Sequence, residues 1–320
     1  MEQTRSDVYP DGVAFMDGHF MPIEEARLPI LDLGFTRSDA TYDVVHVWNG
    51  AFFRLEDHLD RFERSVAKWR FNPGLSRDEI RQTLIRCAQL TGLREAYVEM
   101  TVTRGQMVPG TRDPRACTNR FMAFAIPFVW ILPFARRYDG LHLIVSDVRR
   151  IPPRSVDPTV KNFHWADLTQ GLYDAYDRGG DTAVLVDQDG NVTEGPGFNV
   201  FSVTDGQVVS PDTGVLEGIT RRTVRELCEA AGLPFRWGRL SASELRAADE
   251  VFLSSTAGGI MPATRIDSRV VGDGKAGPIT RQLLDGYWAW HSKPQFSTAI
   301  DYSAAFTPMS EPTMGGTAAC

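Results

Sequence analysis

Lysine is almost missing from this chain. Of its 34 basic residues only four are lysines, Lys68, Lys161, Lys275 and Lys293, and arginine takes the rest. Arginine stays protonated and forms no Schiff base, whereas a desolvated lysine can lose its proton. A lysine kept in an apolar setting is therefore a candidate for chemistry that arginine cannot do. Long apolar runs are also missing. No 18-residue stretch is apolar enough for a transmembrane helix, and Met1 to Pro10 is polar, without the apolar core of a signal peptide. The four cysteines, Cys87, Cys117, Cys228 and Cys320, are far apart and form no C-x-x-C pair. They are expected to be reduced thiols of a cytoplasmic protein rather than a disulfide set or a zinc site. The six histidines show no metal-ligand spacing, and G-x-S-x-G, H-E-x-x-H and P-loop strings are absent. Positive charge is short as well. A net charge of −7 leaves no electrostatic route to nucleic acid or anionic lipid.

The 320 residues exceed a typical single core and fit two domains of ordinary size, and the 42% apolar content is that of a well-buried globular chain. Strand-like alternation in Val13–Met16 and His19–Pro22 around Asp17-Gly18 predicts a hairpin. Tyr42 to Trp48, then Asn49-Gly50, then Ala51 to Arg54 predicts a second, because Asn-Gly suits a type I′ turn. Apolar residues at Leu59, Phe62, Val66 and Trp69 predict a helix over 55–71. Ser76 with Glu79 makes a capping box for another, which Gly92 ends. Strands are expected at 96–103 and 120–127 around a polar loop, 105–119, with 130–138 as the interdomain linker. Beyond it come strands at 141–148, 183–187, 199–204, 207–210 and 250–253. Helices are expected after Lys161, from near Ile219 to Gly232, and over 278–290. The tail, 293–320, is expected to be poorly ordered or draped over a surface. Strands and helices mix without strict alternation, which favours an α+β fold.

Five segments carry candidate chemistry. Lys161 follows a proline-rich loop, Ile151 to Pro158, and has Val160, Phe163 and Trp165 close by. Most lone lysines near a helix start are simply surface residues. Glu194 lies in Thr-Glu-Gly-Pro-Gly, a string that usually makes a turn. Its functional reading is a carboxylate held by tight backbone that can pair with a protonated heterocyclic nitrogen. Gly218-Ile219-Thr220 opens a helix whose first N–H groups can seat a phosphate, although an ordinary helix start reads the same. Ser255-Thr256-Ala257-Gly258 suits close approach to a phosphate or is a plain turn. Arg61 caps that phosphate or coats a helix.

In order along the chain, these segments resemble the class IV (fold type IV) pyridoxal-phosphate (PLP) aminotransferases. The resemblance runs from about Gly12 to about Trp290. It rests on the strand hairpin 41–50, Arg-Leu-Glu-Asp-His-Leu-Asp-Arg61, Thr-Arg-Gly105, Lys161, Glu194-Gly-x-Gly-x-Asn199, Gly-Ile-Thr-Arg221 and Ser-Thr-Ala-Gly258. It implies a small N-terminal α/β domain (1–129) and a larger β-barrel-like domain with flanking helices (139–292), with PLP in the cleft between. It implies that Lys161 carries the cofactor as a Schiff base and that Glu194 pairs with the pyridine nitrogen. Arg61, Ile219, Thr220 and Thr256 would hold the phosphate. It also implies a homodimer in which the partner chain contributes to the pocket.

Within that family, Arg149-Arg150, the segment 151–171 and Gly277-Pro-Ile-Thr280 are most similar to the (R)-selective amine transaminases, which implies an (R)-amine donor and a keto acid acceptor such as pyruvate. Substrate-pocket candidates are Arg37, Tyr42, Val44, Tyr97, Glu99 and Trp165, with Arg112 for the keto acid carboxylate. Arg37 stands where similar amine transaminases often carry histidine, and an added cation there would favour carboxylate substrates. A D-amino-acid aminotransferase is the nearest rival, although the loop after Gly105 has Arg112 and no histidine. A branched-chain aminotransferase or an aminodeoxychorismate lyase is further off. The rival outside enzymes is a PLP-binding protein without turnover. No metal site is expected.

Overall fold

The computed structural model of the protein describes residues 8–303. The first half contains β1 (Val13–Met16), β2 (His19–Pro22), α1 (Leu33–Arg37), β3 (Ala40–Trp48), β4 (Ala51–Phe53), α2 (Leu55–Lys68), α3 (Arg77–Thr91), β5 (Ala96–Thr103) and β6 (Arg120–Pro127). The second contains β7 (Leu141–Arg149), α4 (Ala166–Asp177), β8 (Thr182–Val186), β9 (Glu194–Gly195), β10 (Phe198–Thr204), β11 (Gln207–Ser210), α5 (Ile219–Ala231), β12 (Phe235–Trp237), α6 (Ala242–Ala247), β13 (Glu250–Ser255), β14 (Gly259–Ile266), β15 (Arg269–Val270), α7 (Pro278–Trp290) and β16 (Ser297–Ala299). Local chemistry accounts for many of these limits. Asn49 and Gly50 both take positive φ, 51° and 78°, as the β3–β4 turn requires. Ser76 and Glu79 form the capping box of α3, which ends at Gly92 with φ 68°.

The strands make two sheets. The first runs β16-β4-β3-β5-β6-β1-β2 and is antiparallel throughout. The period-2 pleat gives each strand two faces. One face of β3, β5 and β6 packs Val45, Val47, Val98, Met100, Ala123 and Ala125 with Leu59, Phe62, Leu84 and Cys87 of α2 and α3. The opposite face, with Tyr42, Val44, Tyr97 and Glu99, is left to a cavity. The second sheet has nine strands and curls as a half-barrel around β12-β11-β10-β13-β14-β7-β8. Its pairs are mostly antiparallel, with β7 parallel to β8 and to β14 and β11 parallel to β12. Helices α5 and α7 cover one region through Val224, Leu227, Leu284 and Tyr287. Helix α4 covers another through Leu168 and Ala175. The fold is α+β, as expected.

The short elements α1, α6, β9, β12 and β15 are absent from the sequence reading, and two larger differences shape the sheets. The tail boundary placed at 293 does not separate a loose segment, because β16 pairs antiparallel with β4, Ser297 opposite Phe53 and Ala299 opposite Ala51. The edge strand β4 offers unpaired backbone groups that the returning chain satisfies. The rest of that expected tail, 304–320 with Cys320, lies outside the described residues. Strand β14 is not among the expected elements either. Pro262 sits inside it, opposite Phe252, and an internal proline argues against a strand when only the sequence is read. Among the described residues, no helix is long and apolar enough to cross a membrane.

Candidate active site

A cavity of about 750 Å³ lies between the two sheets. The loop carrying Lys161 is tied to the first sheet from its own backbone. The Lys161 carbonyl accepts Thr41 Oγ1–H at 2.6 Å and the Tyr42 N–H at 3.2 Å. The side chain then extends into the cavity, with Nζ 4.3 Å from the Tyr42 ring centroid. Among the described residues no carboxylate forms an ion pair with this amine; the Tyr42 ring faces it, and its charge acts on the cavity carboxyls Glu99 and Glu194 from a distance.

Glu194 is 6% exposed on β9. Arg150 Nη2 donates to its Oε1 at 3.1 Å, and the Leu216 N–H donates to its Oε2 at 2.8 Å. Burial raises the Glu194 carboxyl above the usual range, and the Arg150 charge pulls the other way. Arg150 is held in turn by Asp167, Nη1 to Oδ2 at 2.7 Å. In the sequence Arg150 stands out only as part of a likeness. Nothing local shows that it would reach Glu194, 44 residues away.

The turn into α5 is shaped by Asn199, whose Nδ2 donates to the Leu216 carbonyl at 3.0 Å. Gly218 is the N-cap, and no side chain caps the helix. A Cβ at Gly218 would lie 2.2 Å from Asn199 Oδ1, so a larger residue would displace the amide that shapes this turn. The result is an uncapped helix N-terminus facing the cavity through Ile219 and Thr220, a setting that favours an anion. Arg61 of α2 lines the same cavity. Its Nε and Nη2 donate to the two Asp43 oxygens at 2.7 and 2.8 Å, and its Nη1 to the Glu217 carbonyl at 3.2 Å. His58 Nδ1 lies 2.8 Å from the same carboxylate. Burial works to raise the Asp43 carboxyl, but Arg61 and His58 more than offset it and hold it far below the usual range. Asp43 is fully buried, and sequence reasoning missed it. It alternates with Tyr42 and Val44, which suggests the opposite sheet face but not its partners. Thr256 completes this end of the cavity. Beside it Ser255 Oγ donates to the Gly197 carbonyl at 2.7 Å, and the buried Ser254 hydroxyl lines the cavity with no partner among the described residues.

The structure brings Lys161, Arg61, Glu194, Ile219, Thr220, Thr256, Tyr42, Val44, Tyr97, Glu99 and Trp165 to one cavity. It does not bring Arg37 or Arg112 there. Both are exposed, Arg37 at the end of α1 and Arg112 in the loop 105–119. The Leu33 N–H donates to the Gly105 carbonyl at 2.9 Å, and Thr103 Oγ1 donates to the buried Asp32 at 3.0 Å. These bonds fix α1 and the loop to each other at one end of the interior strands β3 and β5, and neither arginine lines this chain's own cavity. Of the expected pocket residues, Arg37 and Arg112 are thus the two that this chain does not bring to its own cavity.

The donor set of an amine, a guanidinium, an uncapped helix N-terminus, a buried carboxyl and an orphaned hydroxyl fits a phosphorylated aldehyde with a basic ring nitrogen. Residues 40–266 match the family model described as amino-transferase class IV. A putative branched-chain-amino-acid aminotransferase of Methanocaldococcus jannaschii is 30% identical over 276 residues, 85% of this chain and 94% of that one. A D-alanine aminotransferase of Staphylococcus haemolyticus is 28% identical, over 85% and 95%. The crystal structure of the branched-chain amino acid aminotransferase from Thermobaculum terrenum in its PLP-form superposes with a TM-score of 0.81 at 28% identity, covering 92% of this chain and 99% of that one.

Proposed function

Because the chain belongs to the class IV aminotransferases, which work with pyridoxal 5′-phosphate, we propose that it transfers the amino group of an (R)-configured primary amine to a keto acid such as pyruvate. Bound PLP supplies the carbonyl that takes up the amine and a ring that draws off the electron pair. The chain's residues divide the remaining work. Lys161 holds the cofactor and, once released by the incoming amine, moves the proton on the substrate's amine-bearing carbon. Glu194 holds the ring-nitrogen proton, with Arg150 keeping that carboxylate in place. Ile219, Thr220, Thr256 and Arg61 hold the phosphate.

The observation that carries the amine reading is the substrate end of the cavity. Tyr42, Val44, Phe124, Ile126 and Trp165 line it, and the exposed Arg37 and Arg112 lie outside it. Tyr97 and Glu99 share that wall, and Arg136 of the same cavity is paired with Asp139. A largely apolar wall with a buried carboxyl suits an arylalkyl substituent, and any cation for the acceptor's carboxylate has to come from the partner subunit.

The same arginines support a second part of the proposal, a homodimer. Ile30, Leu31 and Phe35 are exposed by 67–74%, and Val108 by 44%, beside α1 and the loop that carries Arg112. A second copy covering that patch would bring these loops toward its own cavity, so that Arg112 can grip a keto acid carboxylate with its planar fork.

The test is a panel of (R)- and (S)-1-arylethylamines with D- and L-amino acids, each against pyruvate, followed by product formation and by the cofactor absorbance. Turnover confined to (R)-amines is expected. A preference for (S)-amines overturns the pocket assignment. A preference for D-amino acids overturns the amine reading while leaving the transaminase standing.

A further inference from the structure

The cavity holds a second buried carboxyl that the transfer above does not use. Glu99 lies in the middle of β5 and is 8% exposed. Its partners are two hydroxyls. Thr101 Oγ1 donates to Oε1 at 3.0 Å and the Tyr97 hydroxyl to Oε2 at 3.2 Å. Each carboxylate oxygen accepts more than one hydrogen bond, so acceptor capacity remains toward the cavity. Its cross-strand neighbours are Val44 and Phe124, both apolar.

The charged and titratable groups around it are few. The loop brings Lys161. Strand β3 brings Tyr42 and Asp43, and Asp43 is already paired with Arg61 of α2. Strand β6 brings Phe124 and Ile126, which carry no charge. The cavity's other arginines are engaged elsewhere, Arg150 with Glu194 and Asp167 and Arg136 with Asp139. Burial raises the Glu99 carboxyl to about 7, with the Lys161 charge opposing.

Resting on the amine-transaminase reading, we propose that Glu99, steadied by Tyr97 and Thr101, determines substrate specificity by charge: it rejects donors with an anionic group reaching β5 and favours those with a cationic or hydrogen-bond-donating group there. A second anion would face a buried carboxylate that has no arginine to share. A donor group would meet the acceptor positions that the two hydroxyls leave open.

The test uses two planar near-isosteres, 1-phenylethylamine bearing a para-amidino or a para-carboxylate group, each offered as both enantiomers with pyruvate. At pH 8.5 the parent enzyme is expected to favour the amidino donor on the order of tenfold or more in kcat/KM. Glu99→Gln keeps the shape and leaves the Tyr97 and Thr101 hydroxyls within reach, one still donating to the amide oxygen and the other now accepting from the amide N–H, and should bring the ratio close to one. The parent's ratio should also fall as pH drops through about 7, while the variant's stays flat. A readout independent of turnover is phenylacetate binding, followed by the fluorescence of the cavity residues Trp130 and Trp165. Glu99→Gln should bind phenylacetate on the order of tenfold more tightly. A variant that turns over unsubstituted amine at the parental rate and keeps the parental ratio overturns the role of Glu99 alone. A parent that transaminates no amine overturns the reading on which it rests.

Discussion

Arg150 joins Glu194 by a 3.1 Å hydrogen bond inside the protein, and its other side is held by Asp167 at 2.7 Å. Two carboxyls, each no more than 8% exposed, thus share one guanidinium. Replacing Arg150 with alanine should destabilise the fold by about 3–5 kcal/mol, because it leaves two buried carboxyls without their cation. Thermal unfolding of the cofactor-free protein measures this. Glu194→Gln should keep the fold and the cofactor but slow turnover by about 10²-fold or more, the scale of losing one preorganised electrostatic group. An unchanged rate would place the ring-nitrogen partner elsewhere.

Lys161→Ala and Lys161→Arg should both fold and both lose essentially all transamination. Arginine at this position keeps a cation over Tyr42 but cannot form the Schiff base. Single-turnover absorbance measurements with amine separate this from weakened cofactor binding. Turnover near the parental rate in either variant would refute the assignment.

Asp43 holds Arg61 by two parallel bonds. Asp43→Asn should loosen that guanidinium and weaken cofactor binding by about tenfold, the cost of one charge-assisted contact. Equilibrium dialysis with PLP checks this. The same carboxylate stabilises the fold above the ordinary aspartate range, since its folded-state value is depressed. That contribution is lost only as the pH falls below about 4.

His46 Nε2 and His291 Nε2 are 2.8 Å apart and both rings are buried. His291 Nδ1 lies 2.9 Å from the Tyr287 carbonyl, which only accepts, so that nitrogen carries its proton. Its Nε2 then accepts from His46. Burial depresses both imidazoles, His291 to about 4 and His46 well below its usual value. The unfolded chain takes up protons near pH 6.5 while the folded one does not, so stability present above that pH declines between about 6.5 and 4. Urea unfolding across this range should show the decline, and the double variant His46→Leu with His291→Phe should flatten it.

The exposed Phe35 tests the homodimer. Phe35→Asp places a charge in the apolar patch and should yield a monomer in sedimentation experiments, with a raised KM for pyruvate. Arg112→Ala should remain a dimer and raise the KM for pyruvate about 30- to 150-fold, the equivalent of about 2–3 kcal/mol, with little change for an arylethylamine. A parent protein that sediments as a monomer would remove the basis for both.

Much of this protein is decided within a few residues of chain, where sequence alone is sufficient. Asn49-Gly50 sets a hairpin because both positions need positive φ. Ser76 and Glu79 start a helix because each satisfies the other's backbone N–H. The scarcity of lysine singles out Lys161 because arginine cannot replace its chemistry. Tertiary structure decided what depends on burial and distant partners. It set Arg150 on Glu194, paired Asp43 with Arg61, returned β16 to the edge of the first sheet and left Arg37 and Arg112 outside their own chain's cavity. It also turned Glu99, an ordinary glutamate in the sequence, into a buried carboxyl faced by hydroxyls. Turn and cap preferences act over three or four residues and are written locally, whereas desolvation and ion pairing depend on which strands and loops the fold brings together.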